Sequence, residues 1–317
     1  MNRIKIILVL IILPLLFFTL TSVFYKDGVI IISFFEAQVS VIQNNITDAK
    51  TLAQSLSLEI PKSPFLIITC PEFLAKTPLL QKFGGHYLPV LNTAFLYQPS
   101  ANNIYHEYFH FIQDSSYKLD FKDSHSNWVI ESSARWFENY TLENYREVFD
   151  CTEPLFDTPY ETRYERWMLF KKLVDCCPNV ISSIFQDLKV NQDPCETLNK
   201  IPFFQEAFVE LITKDFQDNY QRHYKESLNF KNSIIIEPFQ FNFTKIDAPL
   251  HLTPQNKIYY LVFNKDLEVI EPLTGENGEN IYPHCYILGI INACDSQKTI
   301  GIFKENQKGY FYTYLNP

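Results

Sequence analysis

Apolar residues fall in short strand-like runs up to Tyr97, recur at helical spacing from Asn102 to about Gln221, and return to short runs beyond Asn229. VIIISFF (Val29 to Phe35) predicts a short buried strand. Glu36 to Leu58 predicts a helix with a polar face, ended by Pro61, and PFLIIT (Pro64 to Thr69) predicts a second strand. HYLPV and NTAFLY (His86 to Val90, Asn92 to Tyr97) predict a hairpin-like pair after a turn at Gly84-Gly85. As an apolar strand, NTAFLY suits either ordinary core or an exposed edge on which a peptide could lie extended. Aromatic-rich helices separated by Pro and Asp/Asn breaks follow. IIIEPFQFNF, KIYYLVF, CYILGII, TIGIF and GYFYTYL then predict a small antiparallel β-sandwich of roughly 85 residues, beginning between Tyr224 and Ser233. The pattern is that of an α+β chain, with a mixed domain over 26–228 and a β-sandwich-like domain over 229–317.

The first 25 residues do not belong to either domain. Arg3 and Lys5 precede an uncharged, mostly apolar stretch from Ile6 to Tyr25, interrupted only by Pro14. Residues 1–25 therefore read as a signal peptide or a retained membrane anchor, with the rest of the chain extracytoplasmic: secreted, periplasmic or anchored. Composition narrows the partners. The 46% hydrophobic and 16% aromatic content supplies a sizeable core, and 27 basic against 36 acidic residues give a net charge of −9 without a basic run. Nucleic acid is excluded as a partner. Cys70, Cys151, Cys176, Cys177, Cys195, Cys285 and Cys294 lack CxxC spacing and favour disulfides in an oxidising compartment, with Cys285 and Cys294 placed to join adjacent strands and the odd total leaving at least one thiol free or intermolecular.

The chemistry concentrates in NNIYHEYFHFIQD. His106 and His110, spaced i, i+4, share one helical face, which suits two imidazoles on one Zn2+ ion. Glu107 lies beside the first of them, where a carboxylate can act as general base on a zinc-activated water. Catalytic zinc usually takes three protein ligands, and NWVIESSARWFENY offers Glu131, with 20 residues between it and His110. His125 and Glu138 remain alternatives for that third position. If Glu131 is the ligand, Glu138 on the same face orients a histidine or pairs with Arg135. His125, Tyr140, Tyr145, Tyr160 and Tyr164 are candidates for stabilising an oxyanion. The rest of the His106 helix is apolar through Tyr105, Tyr108, Phe109, Phe111 and Ile112. Its polar face is thus buried and needs partners, which a metal supplies.

With these residues in view, the chain resembles the gluzincins, in which HExxH is followed after a comparable interval by a glutamate on a second helix. More narrowly, HEYFHFIQ followed by Trp128, Glu131, Ala134, Trp136 and Glu138 looks like a group of secreted metalloprotease-like proteins from bacteria. The resemblance implies a zincin-like catalytic domain, zinc, and hydrolysis of peptides or proteins, and its specific part covers about Tyr105 to Tyr140. Gln113 and Ser116 stand where a metzincin would have Gly and His. No methionine lies in an aminopeptidase-type anchoring motif, which favours an endopeptidase. Arg135 replaces the acidic residue that thermolysin-like enzymes carry after the glutamate ligand. Two rival readings keep the same residues: a non-catalytic surface or effector protein that uses a zincin fold for binding, and a zinc hydrolase of a non-peptide substrate.

Overall fold

A computed structural model describes residues 22–34, 36–69, 84–119, 124–140, 166–219, 229–231, 233–237, 239–252, 258–269, 273–274, 280–292, 297–304 and 311–316. Among these residues the chain is mixed α and β, with seven α-helices and two sheets. It divides into two units. The first takes in the described residues of 1–121, 133–143 and 178–192, and the second those of 122–132, 144–177 and 193–317.

The first unit is built on a five-stranded sheet: β1 (Ser22–Lys26), β2 (Val29–Ser33), β3 (Phe65–Thr69), β4 (Gly85–Leu88) and β5 (Thr93–Leu96), in the order β1-β2-β3-β5-β4. β2, β3 and β5 run parallel, whereas β1 and β4 pair antiparallel at the two ends. Helix α1 (Glu36–Ser55) links β2 to β3. Its Val39, Ile42, Ile46, Ala49 and Ala53 are buried at helical spacing, so one stripe is removed from water. The Gly84-Gly85 dipeptide enters β4 directly, and the reversal to β5 is made by a 3-10 turn at Pro89–Leu91 with Asn92 left-handed at φ 48°. β5 is therefore an inner strand, and β4 is the edge. The strand from NTAFLY is core rather than a surface for an extended peptide. Of the apolar N-terminal stretch, residues 22–25 belong to β1, and residues 1–21 lie outside the described ones. No described helix is long and apolar enough to cross a membrane.

Helix α2 (Ala101–Tyr117) follows β5 after a short link. Ser100 caps its first turn by accepting a hydrogen bond from the Asn103 N–H, and Lys118 ends it in the left-handed region at φ 58°. α2 packs against α1, β4 and β5. Helix α3 (Ser124–Asn139) comes next in the chain, and α5 (Val180–Asn191) packs on α2 through Phe185, whose ring lies 5.7 Å from Phe109 and 5.3 Å from Tyr117.

The second unit holds the start of α3, helices α4 (Trp167–Cys176), α6 (Pro194–Asn199) and α7 (Phe204–Asn219), and a seven-stranded sheet. Its strands are β6 (Ser233–Ile236), β7 (Gln240–Leu252), β8 (Ile258–Phe263), β9 (Leu273–Thr274), β10 (Asn280–Asn292), β11 (Lys298–Lys304) and β12 (Phe311–Asn316). They pair as β6-β11-β12-β7-β10-β8, with β9 on β10. All pairs are antiparallel except β12 with β7, so the predicted antiparallel order holds apart from that one pair. Ile236, Leu250, Leu288, Ile290 and Ile300 form its apolar core. Cys285, 2% exposed, belongs to that core as a thiol, and Cys176 and Cys177 are also thiols. The expected disulfide from Cys285 is not formed, since the side chain packs as a small hydrophobe. Cys70, Cys151 and Cys294 lie outside the described residues.

Candidate metal centre

The turns of α2 decide what faces what. Positions 106, 110 and 113 follow one another at i, i+4, i+7 along one face, while 108 and 111 lie on the far side. Tyr105, Tyr108, Phe109, Phe111 and Ile112 are buried, and burial extends to the polar Glu107, His110 and Gln113. A helix that takes such groups out of water must supply each with a partner.

Those partners are specific. His110 Nδ1 lies 2.7 Å from Gln113 Oε1, and Gln113 Nε2 donates to Ser133 Oγ at 2.9 Å. An amide oxygen only accepts, so Nδ1 of His110 carries the proton and Nε2 is left with its lone pair. On the other imidazole, His106 Nδ1 lies 3.3 Å from Glu138 Oε2. Burial works to raise the Glu138 pKa, but the neighbouring His106 imidazole and Arg135 guanidinium outweigh it and hold the carboxyl below its usual range. Arg135 donates to Glu138 Oε1 at 2.6 Å from the more exposed side of α3. Glu138 thus lies between His106 and Arg135, with one carboxylate oxygen towards each.

The consequence appears at the other ring nitrogens. His106 Nε2 and His110 Nε2 lie 3.0 Å apart, with the rings perpendicular and their centroids 4.6 Å apart. With both Nδ1 atoms facing oxygen acceptors, two Nε2 lone pairs converge. Such convergence is repulsive unless a cation or a proton sits between them. Two Zn–N bonds of 2.0–2.1 Å at a tetrahedral angle would put the nitrogens about 3.3 Å apart, close to what is found. Glu131 completes the set: one ligand atom from each of His106, His110 and Glu131 lies within 4.8 Å of the others. Glu131 and Glu138 share a face of α3 at i, i+7, one carboxylate in the cluster and the other behind His106. Two imidazoles and a carboxylate are a donor set that could hold a divalent transition metal.

Glu107, 5% exposed, follows His106 in the chain and is roofed by backbone. A Cβ placed on Gly85 would come 2.7 Å from Glu107 Oε1, and one on Gly84 would come 2.1 Å from Asn103 Oδ1. The glycine pair therefore admits β4 against α2, a role its reading as a turn did not contain. β4 is held there by Tyr87, whose hydroxyl donates to Asp114 Oδ2 at 2.9 Å and whose ring lies 6.4 Å from that of His110. Gln113 and Ser133 were also missed as functional candidates. The spacing of Gln113 from His110 was visible, but its partner on another helix was not. Of the remaining candidates, Tyr140 is 45% exposed with its ring against Trp136, while the His125 side chain, Tyr145, Tyr160 and Tyr164 lie outside the described residues. Neither protein-family models nor curated proteins gave a match to the chain.

Proposed function

We propose that this chain is a zinc-dependent peptidase of the gluzincin type, an endopeptidase working outside the cytoplasm. The observation that carries the reading is the convergence of His106 Nε2, His110 Nε2 and a Glu131 carboxylate oxygen, with an acceptor behind each histidine. Zn2+ bound to such a set acidifies a water and polarises a carbonyl. Glu107 accepts the proton of the attacking water and delivers it to the leaving amine, in surroundings that exclude bulk solvent. Gln113 and Glu138 hold the two imidazoles in the tautomer and orientation that leave Nε2 available.

A peptide substrate is favoured by β4. It is the last described strand of its sheet, no described strand pairs with its outer edge, where an extended chain could add, and its Gly85 lies against Glu107. In this reading residues 26–228 form the zincin-like catalytic part and 229–317 a β-sandwich-like accessory part. Residues 1–25 direct export as a cleaved signal or an anchor.

The test is zinc stoichiometry by elemental analysis on the purified full chain beside His106→Ala, followed by a peptide-library digest with wild type and Glu107→Gln. About one zinc per chain, absent from the alanine variant, together with cleavage lost in the glutamine variant, is the expected result. Zinc without cleavage of any peptide would turn the reading to a non-peptide hydrolase or a binding protein. Absence of zinc, even after addition, would overturn it.

A further inference from the structure

On the side of α2 that carries Tyr108 and Phe111, the first unit forms a cavity of about 230 Å³ that opens to solvent. Its apolar lining comes from four elements: Ile31 of β2, Ile46 of α1, Phe65 of β3, and Tyr108 and Phe111 of α2, all 5% exposed or less. Three lysines also line it: Lys26 and Lys62 are exposed, and Lys50 is half-buried on α1. Asp27 is the single acidic lining residue.

Two features separate this cavity from a packing gap. First, Lys26, Lys50 and Lys62 make no ion pair with any described residue, although the whole chain carries a net charge of −9. Three unneutralised ammonium groups beside one aspartate form a local positive field on an acidic protein, which draws an anion. Second, Tyr108 is 3% exposed, yet its hydroxyl makes no hydrogen bond to any described residue. The hydroxyl oxygen is not itself sealed off, so it is available to donate to a molecule in the cavity. Burial also holds this phenol well above its usual range, so it stays a neutral donor.

We propose that the cavity is a binding site for a small amphiphilic carboxylate, an organic acid whose apolar body lies against Ile46, Phe65 and Phe111. Its charge meets Lys26, Lys50 and Lys62, and a polar atom accepts from the Tyr108 hydroxyl. The volume is below the about 300–1,000 Å³ of sites for drug-sized ligands, which limits the body to a single ring or a short chain. The site shares no residue with the metal set, so it stands or falls independently of the proposed activity.

The test is calorimetry and thermal shift on the full chain with straight-chain acids of increasing length, aromatic acids, the matching neutral alcohols, and inorganic phosphate. Short or single-ring acids are expected to bind saturably and raise Tm, with the alcohols about tenfold weaker, equivalent to one lost charge interaction. An optimum at short or single-ring acids identifies a free metabolite-sized ligand, whereas affinity rising steadily with chain length would point to lipid acyl chains and overturn the size limit. Lys50→Glu with Lys62→Glu, at a half-buried and an exposed position, should weaken acid binding at least tenfold, and Tyr108→Phe about fivefold. Equal binding of acids and alcohols, phosphate binding as tightly as the acids, unchanged affinity in the lysine variant, or no saturable binding of any compound would each overturn the proposal.

Discussion

The α2–α3 helix pair and the C-terminal sheet both bury polar side chains, but they use them differently. In the sheet, Asn292 is fully buried and its Nδ2 donates to the carbonyls of Ile236 and Glu237 at 3.0 and 3.1 Å, while Thr244 accepts from the Lys231 N–H and donates to the Asn229 carbonyl. These bonds run to backbone and tie strand ends together. In the helix pair, side chains bond to side chains: Ser133 to Gln113, Gln113 to His110, Arg135 to Glu138, and Glu138 towards His106. These chains of interactions end at two Nε2 atoms that face each other. Polar burial that closes on the backbone maintains shape, whereas polar burial that ends on a converging lone pair prepares a site.

Substitutions can break this contrast. The largest effect is expected from Glu131→Ala, which removes a proposed ligand and should weaken zinc binding more than about 100-fold, beyond the usual cost of losing a supporting group. Competition with a chromophoric chelator measures it. Next, Gly85→Ala pushes a methyl group against Glu107 and should lower peptide turnover about 100-fold, with zinc content unchanged. Zinc loss in this variant would show that β4 supports the metal rather than the base. Gln113→Leu strips His110 of its acceptor and should weaken zinc binding about 10- to 100-fold, while Gln113→Glu restores or exceeds wild-type affinity. If the leucine variant binds zinc normally, the buried amide serves packing alone. The smallest effect on the site is expected from Asn292→Ala in the C-terminal sheet, which should cost about 1–3 kcal/mol in denaturant unfolding and leave zinc affinity untouched.

The parts of this arrangement legible in the sequence were the local ones. His106 and His110 come together because helical spacing puts i and i+4 on one face, and Glu138 falls behind His106 because it shares a face of α3 with Glu131. Strands with long β-branched or aromatic runs were equally plain: Val29–Ser33, Phe65–Thr69 and Ile258–Phe263 lie within the predicted runs. What the sequence withheld depends on chain returning from a distance. Ser133 meets Gln113 across 20 positions, and Gly84-Gly85 reads as a turn until α2 is laid beside it. NTAFLY carries the same apolar pattern whether it lies inside a sheet or at its edge, and only its pairing with β3 and β4 decides. The thiol of Cys285 belongs to the same class, because pairing depends on a neighbour that composition does not locate.

Gly85 also has a genetic meaning. Every glycine codon becomes an alanine codon by one base change, so a single substitution would press a methyl group onto Glu107 while leaving His106, His110 and Glu131 intact. A lineage carrying this fold is therefore one point mutation from a form that keeps its proposed metal ligands and loses its proposed base. Enzyme and inert binder would be neighbours in sequence space, separated by a single methyl group.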